Sequence, residues 1–241
     1  MQLQTVAPYC RGGYNTPMPG PFVKRIRSQV LAEVFELLDV PDVAEQETYF
    51  PGGKILVIVQ EKARRVVKEL LWGLVPATAS DPAAFRKKYH TWNARCETID
   101  TSFSYRDAFR KRRCLIPATG YYVFSGPRGK KQRHRVELIN QKPFACAGAW
   151  ERWGRDGAEP LESCTVITTE SNDLVRPMDA RMPVILPTEA YERWLELDHP
   201  DPLQLKALLT AYPQEQMRVF SESQPAQAGD DDSLFRLHPI K

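Results

Sequence analysis

Hydrophobic positions along the chain change period several times, and each change marks an element. Residues 24–38, "KRIRSQVLAEVFELL", place Ile26, Val30, Val34, Leu37 and Leu38 at helical spacing. Ser28 offers a cap for a shorter version of that helix. "VPDVAEQETYFPGG" has no period and reads as a loop. "KILVIVQ" is a continuous apolar strand, and "RRVVKELLWGLVP" is a second strand ending at Trp72-Gly73. The polar "ATASDPAAFRKKYH" reads as a loop. "SYRDAFRKRR" predicts a short helix with Tyr105, Ala108, Phe109 and Arg112 on one face, capped by Ser102 or Ser104. "CLIPATGYYVF" returns as a strand, and "SGPRGKKQRHRVELI" is a basic hairpin turning at "GPRGK". "PFACAGAWERW" and "ESCTVITTES" are further strands, and "NDLVRPMDARMPVIL" begins as a helix or loop and ends as a strand. "PTEAYERWLEL", capped by Thr188, and "DPLQLKALLTAY" are helices. Residues 1–20 are Gly- and Pro-rich and irregular, and the tail holds a flexible acidic turn at about 222–233. Many strands with scattered helices predict an α+β fold: one compact domain over 1–241, built on a mainly antiparallel, barrel-like sheet with peripheral helices.

Composition narrows this reading. The chain has 241 residues, 42% of them hydrophobic, which is enough for a substantial core. Twenty prolines and thirteen glycines fit many turns. The net charge of +3 is too small to announce nucleic acid by itself, so local clustering must decide. The five cysteines, Cys10, Cys96, Cys114, Cys146 and Cys164, form no CxxC pair and give no zinc spacing. Three lie in apolar strands and read as buried thiols of a reducing compartment. No apolar run approaches the roughly 18 residues of a membrane span, and the N-terminus lacks a signal-peptide pattern. The expectation is a soluble, cytoplasmic monomer, nucleoid-associated if bacterial, with no metal and no cofactor. His90, His134, His199 and His238 stand apart from any nucleophile pattern and read as surface residues.

Positive charge is uneven. Residues 106–113 hold Arg106, Arg110, Lys111, Arg112 and Arg113; residues 128–135 hold Arg128, Lys130, Lys131, Arg133, His134 and Arg135. Tyr121, Tyr122 and Phe124 lie between the runs. Cations for phosphates and aromatic faces for unstacked bases are the composition of a single-strand nucleic-acid groove. The expectation is that both runs share one face, with Arg112, Arg113, Lys130 and Lys131 on phosphates and Tyr122 on a base. The plain alternative is a solvated hairpin with core tyrosines.

"WGLVP", "NARCET", "YRDAF", "RRCLIPATGYY", "FACAGAWERW", "TVITTESND" and "LVRPMDARMPVILP" follow one another from about residue 49 to 195. Together they resemble the SRAP family, the SOS response-associated peptidases or abasic-site processing proteins. The resemblance implies a compact α+β fold and binding to single-stranded or abasic DNA in the DNA damage response. It also implies a cysteine, N-terminal after methionine removal, that forms a DNA–protein crosslink. Its α-amine, with a pKa of roughly 8, is partly neutral near pH 7. Amine attack on the sugar aldehyde gives a Schiff base, and the thiol closes a thiazolidine. A glutamate and a histidine move protons, and an asparagine positions the N-terminal residue. Exposing that cysteine is the peptidase step. On this resemblance Asn93 is the positioning residue, with Arg95 and Glu97 beside it. Trp72 stands at the "WG" position and Arg181 in the "RMP" motif.

Other positions depart from the pattern. "GFYEW" is here Gly120-Tyr121-Tyr122-Val123-Phe124, so Val123 replaces the glutamate. "HDRMP" is Asp179-Ala180-Arg181-Met182-Pro183, so Asp179 replaces the histidine. Residue 2 is Gln2, and Cys10 follows Tyr9, so its nitrogen is an amide unless the chain is cut between them. The expectation is a DNA-binding member with impaired or lost crosslinking chemistry. The alternative is crosslinking through a proteolytically exposed Cys10, with Asp179 or Glu97 as acid/base. A third reading is a scaffold that no longer binds DNA. Bland roles also exist for the same residues: an Arg95–Glu97 ion pair, Trp72 as a core aromatic, and Arg181 tying Asp179.

Overall fold

The computed structural model describes residues 20–43, 45–127, 130–154, 159–197 and 201–222, with Gln46 by its backbone alone. Cys10, Arg128, His199, His238 and nearly all of the acidic tail lie outside them. In chain order the elements are β1 (Phe22–Arg25), α1 (Ser28–Phe35), β2 (Gln46–Tyr49), β3 (Lys54–Glu61), β4 (Arg64–Trp72), α2 (Pro82–Lys88), β5 (Asn93–Arg95), α3 (Arg106–Lys111), β6 (Arg113–Ala118), β7 (Gly120–Ser125) and β8 (Gln132–Leu138). There follow β9 (Phe144–Trp153), β10 (Leu161–Glu170), β11 (Arg181–Pro183), β12 (Ile185–Leu186), α4 (Tyr191–Leu195), α5 (Pro202–Ala207) and β13 (Met217–Glu222). Strands dominate, and the fold is mixed α+β.

The expected single sheet is in fact two. One has the order β13-β8-β7-β1-β2; the other runs β11-β10-β4-β3-β6-β9-β12, and β10 also pairs with β9. That extra pairing closes β4, β3, β6, β9 and β10 into a ring. All pairings are antiparallel except β10 with β4 and with β5. One face of the ring carries Ile55, Val57, Cys114, Cys146, Cys164 and Val166, none of them accessible to solvent. Gly148 is required there: a Cβ would lie 2.8 Å from the Cys114 sulfur and from Ile116 Cδ1. "CLIPATGYYVF" is not one strand. It passes from the ring to the second sheet at Thr119, between β6 and β7.

Four further expectations fail for local reasons. Residues 24–38 begin as strand, and the helix starts without a side-chain cap and stops where Glu36 turns left-handed at φ 54°. Gln46–Tyr49, expected as loop, pairs with β1. "ATASDPAAFRKKYH" contains α2, whose signal was polar rather than periodic: Asp81 accepts from the amides of Ala83 and Ala84 at 2.8 and 3.1 Å, with Pro82 at the first helical position. β13 completes the second sheet at its edge, in register with β8, and takes Glu222 out of the expected flexible tail.

Burial decides the role of several polar residues. Arg113 is 1% exposed. Its guanidinium donates to the carbonyls of Trp194 (2.7 Å), Phe109 (2.9 Å), Arg110 (2.8 Å) and Glu196. These are carbonyls left over at the C-terminal ends of α3 and α4, where a cation is also favoured by the helix dipoles. Burial lowers its pKa to about 10, so it stays charged at neutral pH. His134 is buried as well, not a surface residue. Its Nε2 lies 2.7 Å from Ser125 Oγ and its Nδ1 3.0 Å from Ser221 Oγ, so one imidazole joins β7, β8 and β13.

Two stability predictions follow from these contacts. Arg113→Met leaves helix-end carbonyls without donors and should cost about 3 kcal/mol or more, read as a lower urea midpoint. A DNA-contacting surface arginine would leave that midpoint unchanged. Burial lowers the pKa of His134, so the unfolded chain takes up the proton first as pH falls. Stability should therefore drop as pH falls below about 6.5. Asp179, whose pKa burial raises, opposes this in acid. The loss between pH 7 and 5.5 should be smaller in His134→Gln; an equal or larger loss would remove His134 as its source.

Candidate functional site

β5 is three residues long and reaches the site by pairing in parallel with the C-terminal half of β10: Asn93 faces Val166, Ala94 faces Ile167 and Arg95 faces Thr168. Its alternation is visible in burial, with Ala94 in the core and Arg95 exposed. Asn93 is half-buried, and its carbonyl accepts from the Tyr105 hydroxyl at 3.2 Å. The strand ends at Arg95. Glu97 therefore does not continue the alternation; it sits on the turn that follows, where Thr98 N donates to the Arg95 carbonyl at 3.2 Å.

The ion pair at this turn is Glu97 with Arg181, not with Arg95. Arg181 approaches from β11 and makes a two-pronged contact, Nη1 to Oε1 at 2.6 Å and Nη2 to Oε2 at 3.0 Å. The same Nη2 donates to the Thr168 carbonyl at 2.7 Å and to its hydroxyl at 3.2 Å. Thr168 also receives the Cys96 amide at 2.9 Å. The hydrogen bonds from Arg181 are the largest cause of a Glu97 pKa lowered to about 2. This keeps the carboxylate ionised at neutral pH and makes it a weak base. The turn is fastened from outside by Lys206 of α5, whose Nζ donates to Asp100 Oδ1 at 3.0 Å and to the Glu97 carbonyl at 3.3 Å.

Asp179 accepts from the Arg181 backbone amide at 2.9 Å, so Arg181 ties it through the main chain while the guanidinium serves Glu97. Burial raises the Asp179 pKa, against the opposing pull of Arg181 and Lys131. Tyr121, buried on β7, feels the Asp179 charge in turn, after desolvation and Cys146. Val123 has no exposed surface and faces His134 across the ladder.

Several sequence-derived assignments need correction. Trp72 is wholly buried, packs edge-on to Phe22 at 5.3 Å and donates from Nε1 to the Trp92 carbonyl at 2.8 Å, so it presents no face to a base. Tyr122 is 8% exposed, clusters with Val23 and Phe124, and has the Arg133 guanidinium 4.9 Å above its ring. Arg113 is the internal cation described above. Arg112 is committed to the buried carboxylate of Glu151 at 2.5 Å. Arg112 also stands far from Arg181 along the sheet. Glu151 is level with Ser163 near one end of β10, and Arg181 with Glu170 at the other. At about 3.3 Å per residue that separates them by roughly 23 Å. Among the expected contacts Arg95, Lys130, Lys131 and Arg181 keep cationic groups at or near the surface. Thr168 and Lys206 were missed. Only the tertiary pairing of β10 and β5 reveals the first, and nothing local in the sequence marks the second.

The chain is similar to known proteins over most of its length. It is 35% identical over 174 residues to the abasic site processing protein YoqW of Bacillus subtilis, covering 72% of this chain and 76% of that one. It is 32% identical over 198 residues to YoaM of the same organism, also an abasic site processing protein, covering 77% and 86%. A crystal structure from Bacteroides thetaiotaomicron superposes with a TM-score of 0.76 at 24% identity, over 90% of this chain and 94% of that one, which establishes the shared fold. The SOS response associated peptidase model matches residues 18–224. Carrying that match across its sheets and its candidate site, the chain belongs to the SRAP family.

Proposed function

We propose that this protein binds single-stranded DNA at abasic sites, as a cytoplasmic monomer, and that the covalent step is impaired or lost in it. The observation that carries the reading is the placement of Arg95 and Arg181 on β5 and β11, the strands that flank the C-terminal end of β10, with Asn93 on the same short strand as Arg95. Cations gathered around a half-buried amide suit a phosphate backbone bent over an exposed sugar. The names of the relatives point to the same lesion. The impairment rests on two side chains. Val123 is a buried hydrocarbon with no proton to give. Glu97, locked to Arg181, titrates near 2, far from the pH at which a proton shuttle works.

One observation favours the second reading, in which Cys10 is exposed by proteolysis and crosslinks. The half-buried Asp179 has a raised pKa, the direction an acid/base group needs.

An abasic oligonucleotide and an intact one of the same sequence separate these readings. The first predicts a retarded complex with a preference for the abasic strand and no covalent band on denaturing electrophoresis. A covalent band that vanishes in Cys10→Ala would establish the second reading instead, and no retention of either strand would leave neither. Lys130→Ala with Lys131→Ala should reduce the slope of log K against log salt by about 1.4 on single strands. Arg112→Ala, at the far end of β10, should leave the slope unchanged.

A further inference from the structure

The guanidinium of Arg181 is already occupied. Glu97 presents two oxygens to it, 2.6 and 3.0 Å from Nη1 and Nη2, the bidentate arrangement that two phosphodiester oxygens also adopt on arginine. The partners are not equivalent. Arg181 has a side chain 17% exposed and is pinned from behind by Thr168, whereas Glu97 is 45% exposed and rides on a turn. An anion arriving from solvent meets the carboxylate first. Arg95, in register with Thr168 on the neighbouring strand, is exposed, so a backbone phosphate that reaches Arg95 arrives beside the Glu97–Arg181 pair. Arg181 Nε is buried and has no hydrogen-bond partner among the described residues, which leaves the same guanidinium one unused donor.

A phosphate and a carboxylate side by side repel, so both cannot share one guanidinium without cost. We propose that Glu97 is an internal stand-in for a DNA phosphate: it holds the Arg181 fork in shape in the free protein and is displaced when the polynucleotide binds. This rests on the DNA-binding reading above and adds to it a built-in competitor. Binding becomes an exchange of one anion for another. Strands that present a phosphate at that point gain the arginine, and other anions must compete with a tethered carboxylate. No proton needs to move, since Glu97 is ionised both when paired and when released at neutral pH.

The test is single-strand affinity and its salt dependence for four proteins: wild type, Glu97→Gln, Arg181→Gln and the double variant. Glu97→Gln should bind about fivefold tighter than wild type, with a salt slope steeper by about 0.7. In the Arg181→Gln background the same change should have no effect. Asp173→Asn, which removes an equally negative but 81% exposed carboxylate, controls for net charge and should shift affinity less. In the wild-type protein, the Glu97 side-chain 13C signal should move on adding the strand from its paired position toward that of a free carboxylate, a readout independent of how any variant folds. Equal or weaker binding by Glu97→Gln overturns the proposal, as does tightening that persists without Arg181 or an unmoved Glu97 signal. If wild type fails to retain single strands at all, the DNA-binding reading falls with it; if wild type binds and only the exchange is absent, that reading stands.

Discussion

The double commitment of Thr168 governs the site. Its carbonyl receives the Cys96 amide and the Arg181 guanidinium, and its hydroxyl donates to the Ala94 carbonyl at 3.3 Å. It stands in β10, which is paired along both edges: with β9 and then β11 on one side, with β4 and then β5 on the other. A strand so enclosed has little freedom to shift register, because a slip of one residue would turn its core face outward. The three-residue β5, too short to be stable alone, inherits its place from that strand. The Glu97 turn inherits its place from β5. The geometry at Arg181 is therefore fixed by backbone pairing rather than by the charges themselves.

Charge in this chain does two kinds of work, and burial separates them. Arg112 and Arg113 lie in the same basic run as Arg110 and Lys111, yet both are turned inward, one to Glu151 and one to the helix ends. A buried ion pair adds little net stability, but breaking one is expensive because a lone charge remains. Arg113, 1% exposed, holds the fold in this way. Of the hairpin cations, Arg133 and Arg135 pair with Glu222 and Glu137, while Lys130, like Arg95, is exposed where Coulomb energy is screened by salt.

Much of the fold was legible because the ring strands carry strong signals. "KILVIVQ" and "FACAGAWERW" are apolar enough to be read as buried without knowing their partners. β2 and β13 were not legible, since "QETY" and "MRVFSE" are polar segments made into strands by a neighbour's edge. The break at Thr119 was invisible because the apolar run continues unbroken through it. At the site, Asn93 and Arg95 on β5 and Arg181 on β11 lie on strands paired with the same end of β10. The pairing of Glu97 with Arg181 was not legible, because an alternating pattern was extended past the point where the strand ends. Arg112 and Arg113 were read as surface cations because a linear run of charge says nothing about which of its members a buried carboxylate or a helix end will claim.

The crossing at Thr119 bears on how any ligand is received. A single residue separates the two sheets, and it is stitched to β1: Thr119 N donates to the Val23 carbonyl at 2.8 Å, and its hydroxyl accepts from Arg25 N at 3.0 Å. Such a joint transmits force but permits almost no rotation, unlike the glycine-rich hinges of clamshell proteins. The two sheets must travel as a welded frame. For the proposed DNA binding, sheets joined this closely leave less conformational entropy to lose on association.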